Sequence, residues 1–425
     1  MMSSRRLKLL FPLLVAPLVS TLVTPASAQT VHPGQPTVGR NLSLLYEVFS
    51  PDGTITRRRG ITDTAPVTAV PTQTPGVVTI LNNGRPNNRL NVVFVGDGYT
   101  AGQLGTYAQN VSSLLNTSLL AVSPLNVYRT YFNAYRIDIA SPVSGISNDP
   151  INGVIRNTPL GMRFWCHGLD RLLCVNNTVA LSYAAAAPGH DEVVAVANTT
   201  TYGGSGGQVT AVAGRNTAAG AILSHEVGHT LGKLGDEYDT PYDRAIGVEP
   251  VYPNVTAYTA AQLTQSRLKW YRWLGVATPD GGTTSTFEGA NYFRLGYFRP
   301  SLNSLMRSLG RPFNTVGREA MIEAIYRKVR PIDAATAVGS TQTRTSRVTV
   351  VPMRPTDHTL AITWRLDGRA LTAANNMTTL NLATVAMTPG RHTLTATVVD
   401  RTGMVRDEAF RNQYMTQTLS WPVNA

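Results

Sequence analysis

Past its N-terminal residues the chain has no apolar run long enough to span a bilayer, which takes about 20 residues. No later transmembrane helix is therefore expected. Charge is sparse, at 15% of residues against the usual quarter, and Thr and Asn fill the gap. That profile suits a strand-rich exported protein. Acids are scarcer than bases, giving a formal charge of +12. The arginines are scattered, though, with Arg57-Arg58-Arg59 the only run, so a basic surface is expected and no nucleic-acid partner. Cysteine is limited to Cys166 and Cys174. An even count in an exported chain points to one disulfide; the alternative, two thiolates binding metal with His167, fits poorly because seven intervening residues match no common zinc spacing. There is no internal repeat and no low-complexity tract.

The compartment is written at the start. Arg5, Arg6 and Lys8 precede an apolar stretch from Leu9 to Val23, which is followed by Ala26-Ser27-Ala28. This is the pattern of a secretory signal peptide cut after Ala28, leaving a chain of about +9 destined for the periplasm or the medium.

A hydrophobic fraction of 43% is enough for real cores, and 425 residues make two or three domains the expectation. Apolar runs between Leu42 and Thr56 turn at Pro51-Asp52-Gly53, a hairpin signal within a small N-terminal β module over residues 29–85. Strands are expected at Leu90 to Val95, Tyr131 to Ile139 and Glu192 to Ala197. Helices are expected at Thr100 to Leu120, at Thr217 to Leu234 with Thr217 as N-cap, and at Glu319 to Val329. Interleaved strands and helices make residues 86–335 an α+β region. From Arg347 onward five alternating runs separated by turns predict a C-terminal immunoglobulin-like β-sandwich over 343–425.

The chemistry lies in His225-Glu226-Val227-Gly228-His229. On a helix, positions i and i+4 share a face, so both imidazoles can bind one zinc ion while Glu226 reaches a zinc-bound water as general base. With 7 His in the chain the pattern arises by chance roughly twice in a thousand such chains, so coincidence is set aside. A catalytic zinc takes a third protein ligand and keeps one position open. Gly232 lets the chain turn, and Asp236 or Glu237 then supplies that ligand; the other orients a ligand imidazole. Gly203 to Gly207 matches G-x-S-x-G, but an extended run follows Ser205 where a nucleophile elbow needs a helix. His32, His358 and His392 read as ordinary surface residues.

The segment from His225 to Tyr238, with Gly232, Asp236 and Glu237 inside it, resembles the signature of the IgA peptidase family of zinc metallopeptidases, which are metzincin-like zincins. Val93 to Tyr99, Phe132 to Arg136, Val194 to Asn198 with Tyr202-Gly203-Gly204, Lys269-Trp270, Glu288-Gly289-Ala290, Tyr297 to Pro300 and Ser304 to Arg307 agree in order. The resemblance covers about residues 90–335. It implies a zincin-type catalytic domain, Asp236 as third ligand, one catalytic Zn2+, Met306 in a supporting turn beneath the metal, and Val194 to Asn198 as an edge strand able to pair with substrate. Tyr238 and Tyr297 are candidate oxyanion donors. Cysteines common in the family after the Met turn are replaced here by Pro312 to Gly317. The expected activity is hydrolysis of peptide bonds in extracellular or periplasmic proteins. The alternative is a non-catalytic adhesin or a carbohydrate- or protein-binding protein that keeps zinc for stability.

Overall fold

The computed structural model describes residues 45–61 and 75–425. The expected signal peptide and its cut lie outside the described residues. The first described element is a hairpin of β1 (Leu45–Phe49) and β2 (Ile55–Arg59), antiparallel, with Glu47 opposite Arg57 and Phe49 opposite Ile55. Asp52 Oδ1 accepts the Thr54 amide at 3.0 Å and closes the turn.

The next segment contains β3 (Gly76–Leu81), β4 (Leu90–Asp97), α1 (Leu104–Ser113), β5 (Phe132–Asp138), α2 (Asn177–Ala184), β6 (Glu192–Ala197), β7 (Gly204–Ser205), β8 (Thr210–Ala213) and α3 (Ala219–Thr230). Its six strands form one sheet in the order β3-β5-β4-β6-β8-β7, with four parallel strands between two antiparallel edges. All of β4 is buried because a parallel strand with helices on both faces has no side to give to water. Its residues alternate between two cores. Val92 and Phe94 pack in the core that also holds Tyr107 and Val111 of α1 and Ile222 of α3. Val93 and Val95 pack with Val179 and Tyr183 of α2.

Two expectations change here. β3, assigned by sequence to the N-terminal module, pairs with β5 at the edge of this sheet, because its Val77 to Leu81 run finds an open strand to bond. β6 is no edge strand. It is bonded to β4 on one side and β8 on the other, so its backbone groups have none left for a substrate.

Beyond α3 come β9 (Tyr242–Arg244), α4 (Ala260–Ser266), β10 (Phe287–Ala290), β11 (Phe293–Arg299) and α5 (Thr315–Lys328), the three strands forming a sheet in the order β10-β11-β9. α5 begins ahead of the expected Glu319 because Asn314 Oδ1 accepts the Gly317 amide at 2.8 Å and caps it. The C-terminal part holds β12 (Ile332–Ala335), β13 (Gln342–Thr343), β14 (Arg347–Pro352), β15 (Ala361–Leu366), β16 (Arg369–Ala370), β17 (Thr379–Asn381), β18 (Arg391–Val399), α6 (Glu408–Tyr414) and β19 (Thr416–Asn424). They make a three-stranded sheet, β12-β14-β17, and a five-stranded one, β13-β19-β18-β15-β16. Trp364 and Trp421 are fully buried, ring centroids 6.1 Å apart. Four of the five expected strands are found as β14, β15, β18 and β19; of Leu380 to Val385 only the start is strand, because a 3-10 turn over Leu382–Thr384 ends it. α6, capped by Asp407 through the Phe410 amide, is additional, as are β12, β13 and β16.

Buried polar contacts join this part to the rest. Asp400 Oδ2 accepts the hydroxyls of Tyr128 at 2.9 Å and Tyr326 at 2.6 Å, and Oδ1 lies 2.8 Å from His358 Nε2. His358 is therefore no ordinary surface residue. Its bond to Asp400, and then that to Asp357, raises its pKa to about 9 from 6.5. A raised folded-state value stabilises fully below the unfolded pKa and is lost as pH climbs through the folded one. His358→Gln is expected to lower the melting temperature most below pH 6.5, with the gap from wild type closing as pH passes 9. Thermal denaturation across pH 6–10 checks this; a constant gap contradicts it.

Candidate metal centre

α3 reads Ala-Gly-Ala-Ile-Leu-Ser-His-Glu-Val-Gly-His-Thr, a proline-free segment in which Ala, Leu and Glu favour the helix and two glycines do not, and it is buried along most of its length. Thr217 is not its cap. Ala218 holds the N-cap position, and Asn216 Oδ1 accepts the Ala218 amide at 2.9 Å, because the shorter Asx turn is already in place one residue earlier. Gly228 on this helix is a packing requirement: a Cβ there would lie 2.6 Å from Met306 Sδ.

The helical spacing puts His225 and His229 side by side, ring centroids 4.7 Å apart and Nε2 atoms 3.1 Å apart. Each ring is fixed by its other nitrogen. His225 Nδ1 lies 3.0 Å from the Leu305 carbonyl, and His229 Nδ1 lies 2.7 Å from the Leu234 carbonyl. A carbonyl only accepts, so both Nδ1 atoms carry hydrogen and the neutral rings turn two Nε2 lone pairs toward one point.

After Leu231 the chain reverses, with Lys233 in the left-handed region at φ 52°. Asn254 then clamps Gly235 from both sides, accepting its amide and donating to its carbonyl, each at 2.8 Å. This turn brings Asp236 back to the helix, Oδ1 3.2 Å from His229 Nε2 and 3.5 Å from His225 Nε2. Tyr292 OH donates to the other oxygen, Oδ2, at 2.6 Å. Glu237 faces away, bonded to Asn254, Ser304 and Asn314, with burial the main cause of a pKa raised to about 7. Of the two carboxylates left open by the sequence, Asp236 is the one beside the imidazoles.

The fourth group was not expected. Glu47 of β1 places Oε1 3.2 Å from His225 Nε2, and the donor atoms of Glu47, His225, His229 and Asp236 all lie within 4.8 Å of one another. Glu226 is buried beside them, its Oε1 without a hydrogen-bond partner. Its carboxylate packs on the Gly206 backbone so closely that a Cβ at 206 would overlap it, which gives the glycine loop a role the sequence did not reveal.

Met306 lies under α3 against Gly228, and its carbonyl accepts the Glu237 amide at 2.7 Å, so the turn braces both the helix and the chain after Asp236. Tyr238 OH donates to Glu47 Oε1 at 3.3 Å. Tyr297 does not reach the cluster: it packs with Phe293 and Val255, and its hydroxyl donates to the Val248 carbonyl at 2.7 Å, which removes it as an oxyanion donor. Cys166 and Cys174 are bonded to each other, not to a metal.

The charges ask for a cation. Burial lowers the His225 pKa, yet Glu47 and Asp236 raise it well above the ordinary value, and Asp236 carries His229 to about 9 despite burial. Burial opposes ionisation of Asp236, but His229 and His225 hold it well below the carboxylate range. Glu226 is pushed up to about 8, first by burial and then by Glu47. Two converging imidazole nitrogens and a carboxylate oxygen are the donor set a zinc ion takes, and one divalent charge replaces the protons the rings otherwise need. The residues fit that ion.

Tyr292 was missed because its only sequence signal is its place two residues after the Glu288-Gly289-Ala290 segment. Outer partners of metal ligands typically contribute 10–100-fold in affinity. Tyr292→Phe is expected to weaken binding of a divalent metal at this cluster by about tenfold or more, measured by competition with a chromophoric chelator. Unchanged affinity would remove Tyr292 from the centre.

A sequence profile described as IgA Peptidase M64 matches residues 78–280 and 276–325, over half of the chain. No curated protein matches it.

Proposed function

The chain belongs to the IgA peptidase M64 family and is a peptidase of a metallopeptidase family; from that premise we propose that it is an exported zinc endopeptidase in which His225, His229 and Asp236 hold the metal and Glu226 is the general base. The observation that carries this is the pair of Nε2 atoms 3.1 Å apart, each ring with its Nδ1 on a backbone carbonyl and Asp236 Oδ1 beside both. The N-terminal sequence and the Cys166–Cys174 bond support export to an oxidising compartment. The catalytic region runs from β3 through α5, in a zincin arrangement, and the immunoglobulin-like sandwich takes in β12 ahead of the expected 343, because Ile332–Ala335 pairs with β14.

A zinc ion held by His225, His229 and Asp236 would supply Lewis acidity for the scissile carbonyl and for a water able to attack near neutral pH. Glu226 takes the proton from the attacking water and returns it to the leaving amine. Burial works against its ionisation and a bound cation works for it, a balance that suits a group which must both take and return a proton. Leu305 and Leu234 hold the two rings in the tautomer that leaves Nε2 free for the metal. Tyr292 and Asn254 hold Asp236 in place. Tyr238, whose hydroxyl is at the site, is the candidate donor to the developing oxyanion.

The test is metal analysis of the purified chain together with casein hydrolysis before and after chelation. One zinc per chain and loss of hydrolysis on chelation support the reading; hydrolysis that survives chelation overturns it.

A further inference from the structure

Glu226 and the inner part of the cluster are shielded from solvent, while the His229 side chain keeps 9% and Glu47 16% of its exposure. His225 is 0% exposed and Glu226 and Asp236 2% each. A peptide bond has to reach them, so whatever covers them occupies the substrate's place.

The cover is the β1–β2 hairpin. Glu47 lies among the metal-binding donors. Two residues on, Phe49 is fully buried and meets the His225 ring edge-on at 5.7 Å. Opposite Glu47, Arg57 puts its guanidinium 3.9 Å from the Tyr292 ring centroid, beside the residue that positions Asp236. The hairpin is tied to both sides of the cleft. On one, Tyr46 stacks on His167 at 4.0 Å, and Tyr202 OH donates to the Ser50 carbonyl at 2.7 Å. On the other, the Leu309 amide donates to the Gly53 carbonyl at 2.9 Å, and Thr54 bridges to Ser308 just past the Met turn.

Four protein donors close a zinc shell, and a closed shell is the form of a structural site; a catalytic ion keeps a position open for water and substrate. Yet Glu226, which a structural ion does not need, is buried at the same spot. We propose that Glu47 is the fourth protein donor to the metal and that the β1–β2 hairpin is a built-in inhibitor seated in the substrate cleft, so that the chain is latent until Glu47 withdraws. This rests on the metal centre proposed above. A two-stranded hairpin with few core residues is marginal alone, so it can leave without unfolding the six-stranded sheet. Glu47 is suited to the task because a carboxylate competes for the metal as water does.

The experiment uses the full chain as wild type, Glu47→Gln and Glu47→Ala, each titrated with Co2+, whose visible spectrum reports its ligands. Glu47→Gln keeps the side-chain shape, and circular dichroism checks that both variants fold. The expected result is a changed cobalt spectrum and weaker metal affinity in both variants. Alongside it, kcat/KM on a short fluorogenic peptide with zinc should rise at least about tenfold, since the competent fraction no longer competes with the seated hairpin. An unchanged spectrum and affinity would overturn Glu47 as a ligand. A changed spectrum without gain in peptide cleavage would overturn latency and make Glu47 a permanent structural ligand. A wild-type chain that binds no cobalt would overturn the metal centre itself, and this inference with it.

Discussion

Glu226→Gln is expected to bind zinc as tightly as wild type and to lose about 10²–10⁴-fold in kcat, the range a positioned general base contributes. Glu226 touches neither imidazole as a ligand, and its Oε1 has no hydrogen-bond partner to lose. An amide there removes the proton acceptor and little else. Because burial and the charge of Glu47 work against its ionisation, the variant is expected to melt at the same temperature as wild type or higher. The sign of the pH dependence follows from the same residue. A base acts only when ionised, so the rate falls as pH drops through its pKa. That pKa is about 8 without metal, and a bound cation favours the carboxylate, so the acid limb of the kcat profile lies below about 8. Steady-state hydrolysis of a fluorogenic peptide over pH 5–9, with zinc titrated in parallel, gives both numbers. Residual kcat within threefold of wild type would remove Glu226 from the chemistry.

His229→Ala has a different signature: metal and activity are lost together. The affinity loss is expected to exceed the 10–100-fold typical of an outer partner. Zinc at a hundredfold excess over its Kd stabilises a protein by about 2.7 kcal/mol, and the variant is expected to lose that zinc-dependent rise in melting temperature. It also leaves Asp236, a carboxylate 2% exposed, without the neighbour that most strongly favours its charge. Removing one partner of a buried ion pair is costly, so the metal-free variant is expected to melt below metal-free wild type. Zinc-dependent thermal shift measures both; a full zinc shift in the variant contradicts the assignment.

The parts of the centre carried by one short stretch were legible in sequence. The i, i+4 spacing placed both imidazoles, and the turn after Gly232 returned Asp236 beneath them. β4 was legible because a doubly covered strand is mostly apolar, and most of the C-terminal strands because they alternate. What stayed hidden depends on pairing across long separations. Glu47 and His225 are 178 positions apart, and no local pattern in Leu45–Phe49 says which surface the hairpin meets. Gly206 looked like part of a serine motif because only the fold shows the carboxylate above it. Spacing alone left Asp236 and Glu237 open, the family resemblance favoured Asp236, and the fold gives the physical reason: Asn254, Ser304 and Asn314 claim Glu237. The edge position given to Val194 to Asn198 failed for the same reason: strand order is a property of the whole sheet, and β8 joined it from later in the chain.

Anomalous diffraction at the zinc edge from crystals of the zinc-loaded chain is the most direct measurement. One peak is predicted about 2 Å from His225 Nε2, His229 Nε2 and an Asp236 oxygen. No density between those rings, or zinc bound only elsewhere on the chain, would contradict the account at its root.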